Sequence, residues 1–361
     1  LAALWIAGQS AWLVGDNITL PPYLDRWYRW DARVFELIAQ YGYSGPPDAP
    51  GRYEAFFPGM PLALRLVHVL VRDWTVAGLL ISFVAGGVAV VALVRLAALD
   101  FGADVGRRAA LALCVSPLTG FLASGYSEAL FMAFAFTAWL NARRGRWLWA
   151  GLLAAGASAT RITGLFLAVA LVVEFATAWI RKRRSGAELA GPRAVQALWL
   201  GLPLLPVAAF FAFLHHRSGR WDYYFEVQRL GWGRSYVGFG DTLRLVWEVA
   251  VTPGDHLGWA FGYRMEMVAM GVGIVLAASL LVRRRWAEAA FVALPVLSLA
   301  PMASYSSAAR TSLTWWPLWI ALALLAGRGR TGVWLGRLYL ALSVPTAVLV
   351  LAAFTLWHWA G

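Results

Sequence analysis

Cysteine, lysine and charge are what this sequence has little of. Cys114 is its one cysteine in 361 residues and sits in an apolar run. It excludes an intramolecular disulfide and a thiolate-bound metal cluster, and leaves the redox compartment open. Of the 31 basic residues only Lys182 is lysine, and this arginine, alanine and glycine bias is what a GC-rich genome gives, a compositional hint of a bacterium. Charged residues make up only 14% while hydrophobic ones reach 60%, with a mean hydropathy of +0.63. That excludes an ordinary soluble domain, whose apolar share is roughly a half. Histidine is scarce too. His215, His216 and His256 could suggest a metal, but no carboxylate or further histidine stands at ligand spacing with the pair His215 and His216, which argues against a histidine-based metal site. No repeat of fixed period is visible, and no linker sets a soluble domain apart.

What is present is a series of apolar runs punctuated by short arginine clusters. A net charge of +12 invites a nucleic-acid reading, but the arginines fall between apolar runs rather than along one soluble face, so topology explains them better. Taking runs of about 17–25 residues as spans and arginine clusters as cytoplasmic markers predicts about eleven crossings of a polytopic all-α membrane protein. Leu1–Val14 reads as a first span rather than a signal-peptide core, on a chain whose start at Leu1 suggests a trimmed N-terminus. Further runs are expected at Trp74–Ala98, Ala109–Ala123, Leu130–Asn141, Trp147–Ala157, Leu165–Ile180, Val195–Leu214, Met265–Val282, Ala287–Ala300, Leu313–Ala326 and Leu338–Trp357. Arg107 and Arg108, Arg143 to Arg146, Arg181 to Arg184, Arg283 to Arg285, and Arg328 to Arg337 then share one side. Two large loops, 16–73 and 215–263, fall on the other, as do the short turns around Ser127, Arg161 and Arg310. The whole chain, 1–361, reads as one integral-membrane domain.

Within the loop 16–73, the stretch Tyr28–Leu64 holds a dense share of the acids: Asp31, Glu36, Asp48 and Glu54. Within it Trp30–Tyr41 has Val34, Leu37, Ile38 and Tyr41 on one helical face, the pattern of a helix lying flat on a bilayer. Met60–Val71 is too short to cross and reads as a second surface helix. Asp31 opens the first helix. A carboxylate there is favoured by the helix dipole and could simply cap it; equally, with Trp30 holding it at headgroup level, it could be a membrane-surface base. The residues alone leave both readings open.

The run WDARVFELIAQYGY followed by EAFFPGMPLAL resembles the first extracytoplasmic loop of PIG-V-type mannosyltransferases, at Trp30, Asp31, Phe35, Ile38, Ala39, Gly42, Tyr43, Glu54, Phe56, Phe57, Pro58 and Pro61. Val34 stands where the eukaryotic pattern often has histidine. The resemblance implies a C-type glycosyltransferase (GT-C) architecture, with surface-lying helices in the first loop. It also implies an inverting transfer of mannose from polyprenyl-phosphate mannose to a hydroxyl of a lipid-linked or glycan acceptor, with Asp31 as the catalytic base. It locates the enzyme in a bacterial plasma membrane with its site on the extracytoplasmic face, or in the endoplasmic reticulum membrane of a eukaryote. Membrane lipids are expected partners and nucleic acid is not. The resemblance implies no definite cofactor and leaves open a divalent ion shared by Asp31 and Glu54, since some C-type enzymes use one and others do not. The rivals are another lipid-linked sugar transferase or ligase of the same type, and a lipid or solute transporter.

Such chemistry needs a base for the acceptor hydroxyl, cations for the phosphate and a greasy groove for the lipid; an ionised phosphate leaves without a general acid. Arg161, on the arginine-poor side, needs a partner: headgroups by snorkelling, or a phosphate. Arg310 poses the same question among Ser304, Ser306, Ser307, Thr311 and Ser312, in a segment similar to an SxRY-like turn of the family, with Thr311 in place of tyrosine. Arg234 joins them through QRLGWGR, similar to a QxxWGR-like element of bacterial relatives; arginine suits a bidentate grip on phosphate better than lysine. Ser127 and Glu128 could be the N-cap and first-turn acid of the next span, but the YSE element with Tyr126 is also similar to one in the family. Glu54, Glu128, Trp30, Tyr126, Gln228 and Trp232 are therefore candidates on the acceptor side or in support of the site. The aromatics of 220–250 equally suit an interfacial belt.

Overall fold

The computed structural model describes residues 22–48, 51–185, 192–252 and 257–356. The expected span Leu1–Val14, His256 and Trp357 lie outside the described residues. Within them the chain is helical, apart from turns and one isolated antiparallel bridge between Tyr236 and Met302. Five helices are long and apolar enough to cross a membrane: Trp74–Phe101, Gly164–Arg184, Ala194–Ser218, Ala260–Val282 and Gly329–Thr355.

The helices in chain order are α1 Trp30–Tyr41, α2 Gly59–His68, α3 Trp74–Phe101, α4 Ala103–Cys114, α5 Ser127–Arg143, α6 Trp147–Thr160 and α7 Gly164–Ser185. There follow α8 Leu204–Ser218, α9 Tyr223–Trp232, α10 Phe239–Val251, α11 Leu257–Val282, α12 Trp286–Leu299, α13 Ala308–Ser312, α14 Trp316–Ala326 and α15 Gly329–Thr355. Both expected surface helices form, α1 with the predicted bounds. Its buried face is rotated from the expected one, however. Phe35, Ile38 and Ala39 are buried, while Tyr41 is exposed, because α1 packs against both α2 and α3. On α2, Leu62 and Leu66 stand four residues apart on an exposed apolar stripe suited to lipid, continued by the exposed Val69 and Leu70 of the following turn.

Several expected spans change shape. Ala109–Ala123 is broken: α4 starts earlier, with Arg107 and Arg108 inside it, and a short 3-10 turn follows at Thr119–Ala123. Val195–Leu214 is a 3-10 segment, Ala194–Gly201, joined through Pro203 to α8. The loop 215–263 contains α9 and α10, and α11 begins eight residues before the expected Met265. Arg330 and Arg337 ride on α15 rather than in a connection.

Small residues set the packing. Ala77, Gly78, Ser82, Ala85 and Ala89 run down the buried side of α3 and let it approach α5 closely, the usual solution where lipid offers no hydrophobic drive. Asp73 caps α3 by accepting from the Val76 amide at 2.8 Å. The centre is aromatic. Trp316 stacks on Phe291 with centroids 4.2 Å apart and tilts over Trp139 at 4.7 Å. At one end of the bundle Arg143 pairs with Asp100 at 2.7 Å and Glu174 at 3.6 Å, and Arg285 with Asp100 at 2.8 Å and Glu288 at 2.6 Å, joining α3, α5, α7 and α12.

Candidate functional site

At the opposite end from that network, charges from five connections converge. Arg310 on α13 reaches Asp31 Oδ2 on α1 at 2.7 Å and Glu128 Oε1 on α5 at 3.4 Å, and donates to Ser307 Oγ at 2.9 Å. Arg161, in the turn after α6, holds the same Glu128 oxygen at 2.6 Å and donates to Ser127 Oγ at 3.1 Å. The Arg310 guanidinium also lies over the rings of Tyr126, at 5.1 Å, and Phe121, at 5.5 Å.

The capping readings hold only in part: Asp31 and Glu128 are each the acid of a first helical turn, but neither Asp31 nor Ser127 is a cap. The N-cap of α1 is Arg29 and Asp31 makes no cap bond, its carboxylate going to Arg310 instead. Ser127 is the first residue of α5 and not its cap, and Arg161 uses its hydroxyl. Snorkelling fails for Arg310 as well, since that side chain is buried inside the protein.

The backbone is arranged to bring these groups together. Trp30 and Ser307, on either side of the Asp31–Arg310 pair, hold φ of 45° and 71°, a region that costs a non-glycine residue energy and is kept only where the surroundings impose it. Glu266 imposes part of it. From within α11 its carboxylate accepts the Ser307 amide at 2.9 Å and the Ala309 amide at 2.7 Å, gripping the start of α13. The turn that presents Arg161 is so tight that a Cβ at Gly164 would stand 2.4 Å from the Ser158 Cα. Arg234 is placed by a tie between two connections: Val237 and Gly238 amides donate to Pro301 O at 2.9 and 3.1 Å, and Ala303 N to Ser235 O at 2.8 Å.

Two cavities meet at Asp31, Trp232, Ser306, Ser307 and Arg310. One, of about 430 Å³, also carries Arg161, Arg234 and Gln228 among mainly apolar walls, including Phe35, Phe56 and Phe57. The other, of about 380 Å³, is lined in addition by Trp30, Tyr126, Tyr263, Tyr305 and Glu266. Asp31 and Phe35 share the first because residues four apart lie on one helix face.

The electrostatics are unbalanced. Burial alone would make Arg310 a weaker base, but Asp31 and Glu128 beside it more than reverse that. Burial, then the Asp31 charge, pushes the Tyr126 phenol well above its ordinary value. Arg234 moves the other way. Burial lowers it, the neighbouring cations Arg161 and Arg310 add to the fall, and no acid pairs with it among the described residues. Glu128 Oε2, Arg310 Nε and Arg234 Nε are all buried without a partner, an unusual concentration of unmet polar atoms.

Glu54 is not part of this cluster. It faces Arg217 at 3.9 Å and lines neither cavity. Asp31 and Glu54, turned to different arginines, are thus a poor fit for a shared divalent ion. Gln228 donates to Ala55 O at 3.0 Å and Trp232 packs on Phe56 at 5.2 Å, fastening the second loop to the first. The aromatics of 220–250 divide: Tyr224 and Trp232 turn inward, while Trp221, stacked on His215, and Tyr236 are exposed.

Glu266 is not among the candidates the sequence offers, because a span starting at Met265 leaves this acid at its margin. An acid in the apolar run YRMEMVAMGV was the available signal.

Fold and site define a multispanning helical protein with a buried acid–arginine cluster between two cavities. Residues 16–187 match the family Mannosyltransferase (PIG-V). Over 151 residues the chain is 39% identical to GPI alpha-1,6-mannosyltransferase 2 of Cricetulus griseus, and over 150 residues 39% identical to the protein of that name in Homo sapiens. Each match covers 38% of this chain and 29% of the relative, so under a third of the relatives' length is matched. Among solved structures, ArnT from Cupriavidus metallidurans bound to undecaprenyl phosphate is similar over 98% of this chain and 74% of that one, at 13% identity and a TM-score of 0.48. The resemblance read in the first loop is therefore real: the chain is related to the PIG-V mannosyltransferases through its N-terminal half.

Proposed function

We propose that this chain is an inverting glycosyltransferase of the C-type architecture, moving mannose from a polyprenyl-phosphate donor to a hydroxyl of a lipid-linked or glycan acceptor. The observation that carries the reading is the Asp31–Arg310 pair standing between two cavities, with Arg161 and Arg234 on one side only. The larger, greasier cavity is assigned to the donor: its arginines face the phosphate, and its phenylalanines face the start of the lipid. The smaller cavity, rich in tyrosine and tryptophan, is assigned to the acceptor, since aromatic faces beside hydroxyls and a carboxylate suit a sugar.

Arg310 holds Asp31 Oδ2, and the other carboxylate oxygen takes the proton of the acceptor hydroxyl as its oxygen attacks the anomeric carbon. The bond from that carbon to the phosphate oxygen breaks on the opposite face, and the polyprenyl phosphate leaves as an anion held by Arg234, Arg161 and Arg310. One in-line displacement inverts the anomeric centre. No metal is needed for this sequence. The arginine clusters at the far end support a site on the extracytoplasmic side of a bacterial plasma membrane.

The test is to incubate membranes carrying the chain with radiolabelled polyprenyl-phosphate mannose and to look for a labelled acceptor. Labelled product should form, and Asp31→Asn should lower it by about 10²–10⁴-fold, the contribution of a positioned base. Absence of product with the wild type would overturn the reading. Activity of Asp31→Asn within about tenfold of wild type would remove Asp31 from the role of base.

A further inference from the structure

A third cavity lies apart from the site. α11 packs on α12 and α14 on α4, and between α11 and α14 a groove of about 750 Å³ is left. Its walls are apolar, with Val272 and Val275 on one side and Ala321 and Leu325 on the other. Val275 and Leu325 are exposed, so the groove opens sideways, toward the lipid around a spanning bundle. Gly271 lines it, and a Cβ built there would meet nothing within 4 Å, whereas one at Gly273 would collide with Val296 and Trp315. Gly273 is a packing glycine; Gly271 widens the groove.

Charge marks only one end. Arg283 and Arg328 stand there, both exposed, and neither forms an ion pair among the described residues. Arg285, beside them, is committed to Asp100 and Glu288. The fifteen steps from Val268 to Arg283 rise about 22 Å, more than the roughly 15 Å hydrocarbon depth of one leaflet. Arg283 is also about 25 Å along α11 from Glu266, the residue that grips the Asp31 site, so this end faces the other leaflet.

We propose that the groove holds an acyl chain of an anionic phospholipid, with the headgroup phosphate between Arg283 and Arg328, in the leaflet opposite the Asp31 site. Arginines at helix ends hold charge near headgroups in any spanning protein. That general effect requires neither an apolar groove beside them nor a glycine that opens it, and it selects no bound lipid. The inference does not depend on the transfer reaction.

The test uses the full chain purified in a nonionic detergent and offered phosphatidylglycerol or phosphatidylcholine, with retained lipid phosphorus measured after washing and unfolding followed by heat. Wild type should retain phosphatidylglycerol in preference to phosphatidylcholine and melt higher with it. Arg283→Gln with Arg328→Gln should weaken retention roughly tenfold or more, from the loss of two interfacial guanidiniums. Gly271→Phe, which fills the groove and leaves both arginines in place, should abolish retention while melting like wild type in phosphatidylcholine. Equal retention of the two lipids by wild type would overturn the proposal, as would undiminished phosphatidylglycerol binding by Gly271→Phe. Displacement of the lipid by inorganic phosphate would overturn it too, since that marks an ion site at the rim and not a lipid groove.

Discussion

Helix α5 carries a charge cluster at each end, about 22 Å apart from Glu128 to Arg143, and the two are built on opposite principles. Around Arg143, the carboxylates of Asp100, Glu174 and Glu288 each have an arginine, and none of these side chains keeps a buried polar atom without a partner. Around Glu128, one carboxylate oxygen and two guanidinium nitrogens are left unmet beside two cavities, and Arg234 has no acid among the described residues. Backbone strain does not separate them, since Arg284 is left-handed near the first cluster just as Trp30 and Ser307 are at the second. Satisfaction does. The first cluster ties helices together; the second has capacity left over for a ligand, which is how a binding site differs from a structural network.

Arg310 gives the sharpest way to break this comparison. Its guanidinium serves Asp31, Glu128 and Ser307 at once, so Arg310→Lys should fail in transfer almost as badly as Arg310→Ala. The expected cost is about 2–5 kcal/mol, roughly thirtyfold or more in rate. Near-normal kinetics for the lysine variant would make the fork unnecessary. Arg234 comes next, with two effects of opposite sign. A half-buried cation whose buried Nε has no partner and which has no acid among the described residues burdens the fold, so Arg234→Met should melt higher than wild type while its donor KM rises about tenfold, as expected for one lost charge-assisted bond. Calorimetry and initial rates read the two directions separately.

The far cluster should respond in the reverse sense. Arg143→Ala takes one of two arginines from each of Asp100, which keeps Arg285, and Glu174, which keeps Arg181, and should cost about 1–3 kcal/mol of stability, between the values for surface and buried pairs. Transfer per folded molecule should not change. The smallest effect concerns Glu36, whose carboxylate is met by Gln40 at 2.9 Å and Thr75 at 3.4 Å and, among the described residues, by no arginine. Burial, then Asp73, raises it from 4.5 to about 7. Being raised above its unfolded value, it contributes stability that is present at low pH and lost as pH climbs through that window. Melting midpoints should fall accordingly, and Glu36→Gln should remove that part of the slope.

Hydropathy made the long helices legible, and local pattern gave α1 with its bounds, because both signals are contained in a short stretch of chain. The site was legible only in pieces. Asp31 stood out through its loop, yet the sequence shows no compensating cation beside it except Arg29 and Arg33, and the one it uses, Arg310, is 279 positions away. No spacing rule reaches that far. The same limit explains Ser127 and Glu128, which satisfy every local requirement of a helix start and are instead held by Arg161 from across a helix hairpin. Glu266 was hidden by a boundary: moving the start of α11 back to Leu257 turns a marginal acid into one several turns inside a helix. The rotated face of α1 has a similar cause, since a helix with two neighbours buries a stripe that no single-face pattern describes.

The backbone tie between Ser235–Gly238 and Pro301–Ala303 makes the loops that carry Arg234 and Arg310 a single mechanical body. Neither arginine can swing away as a flap while the other stays. If the proposed donor is right, an opening wide enough to admit a lipid-borne sugar comes from the opposite wall, where the Tyr53–Ala55 turn and its neighbours meet α9 through side chains: Arg52 on Leu230 O, Gln228 on Ala55 O, and Phe56 against Trp232.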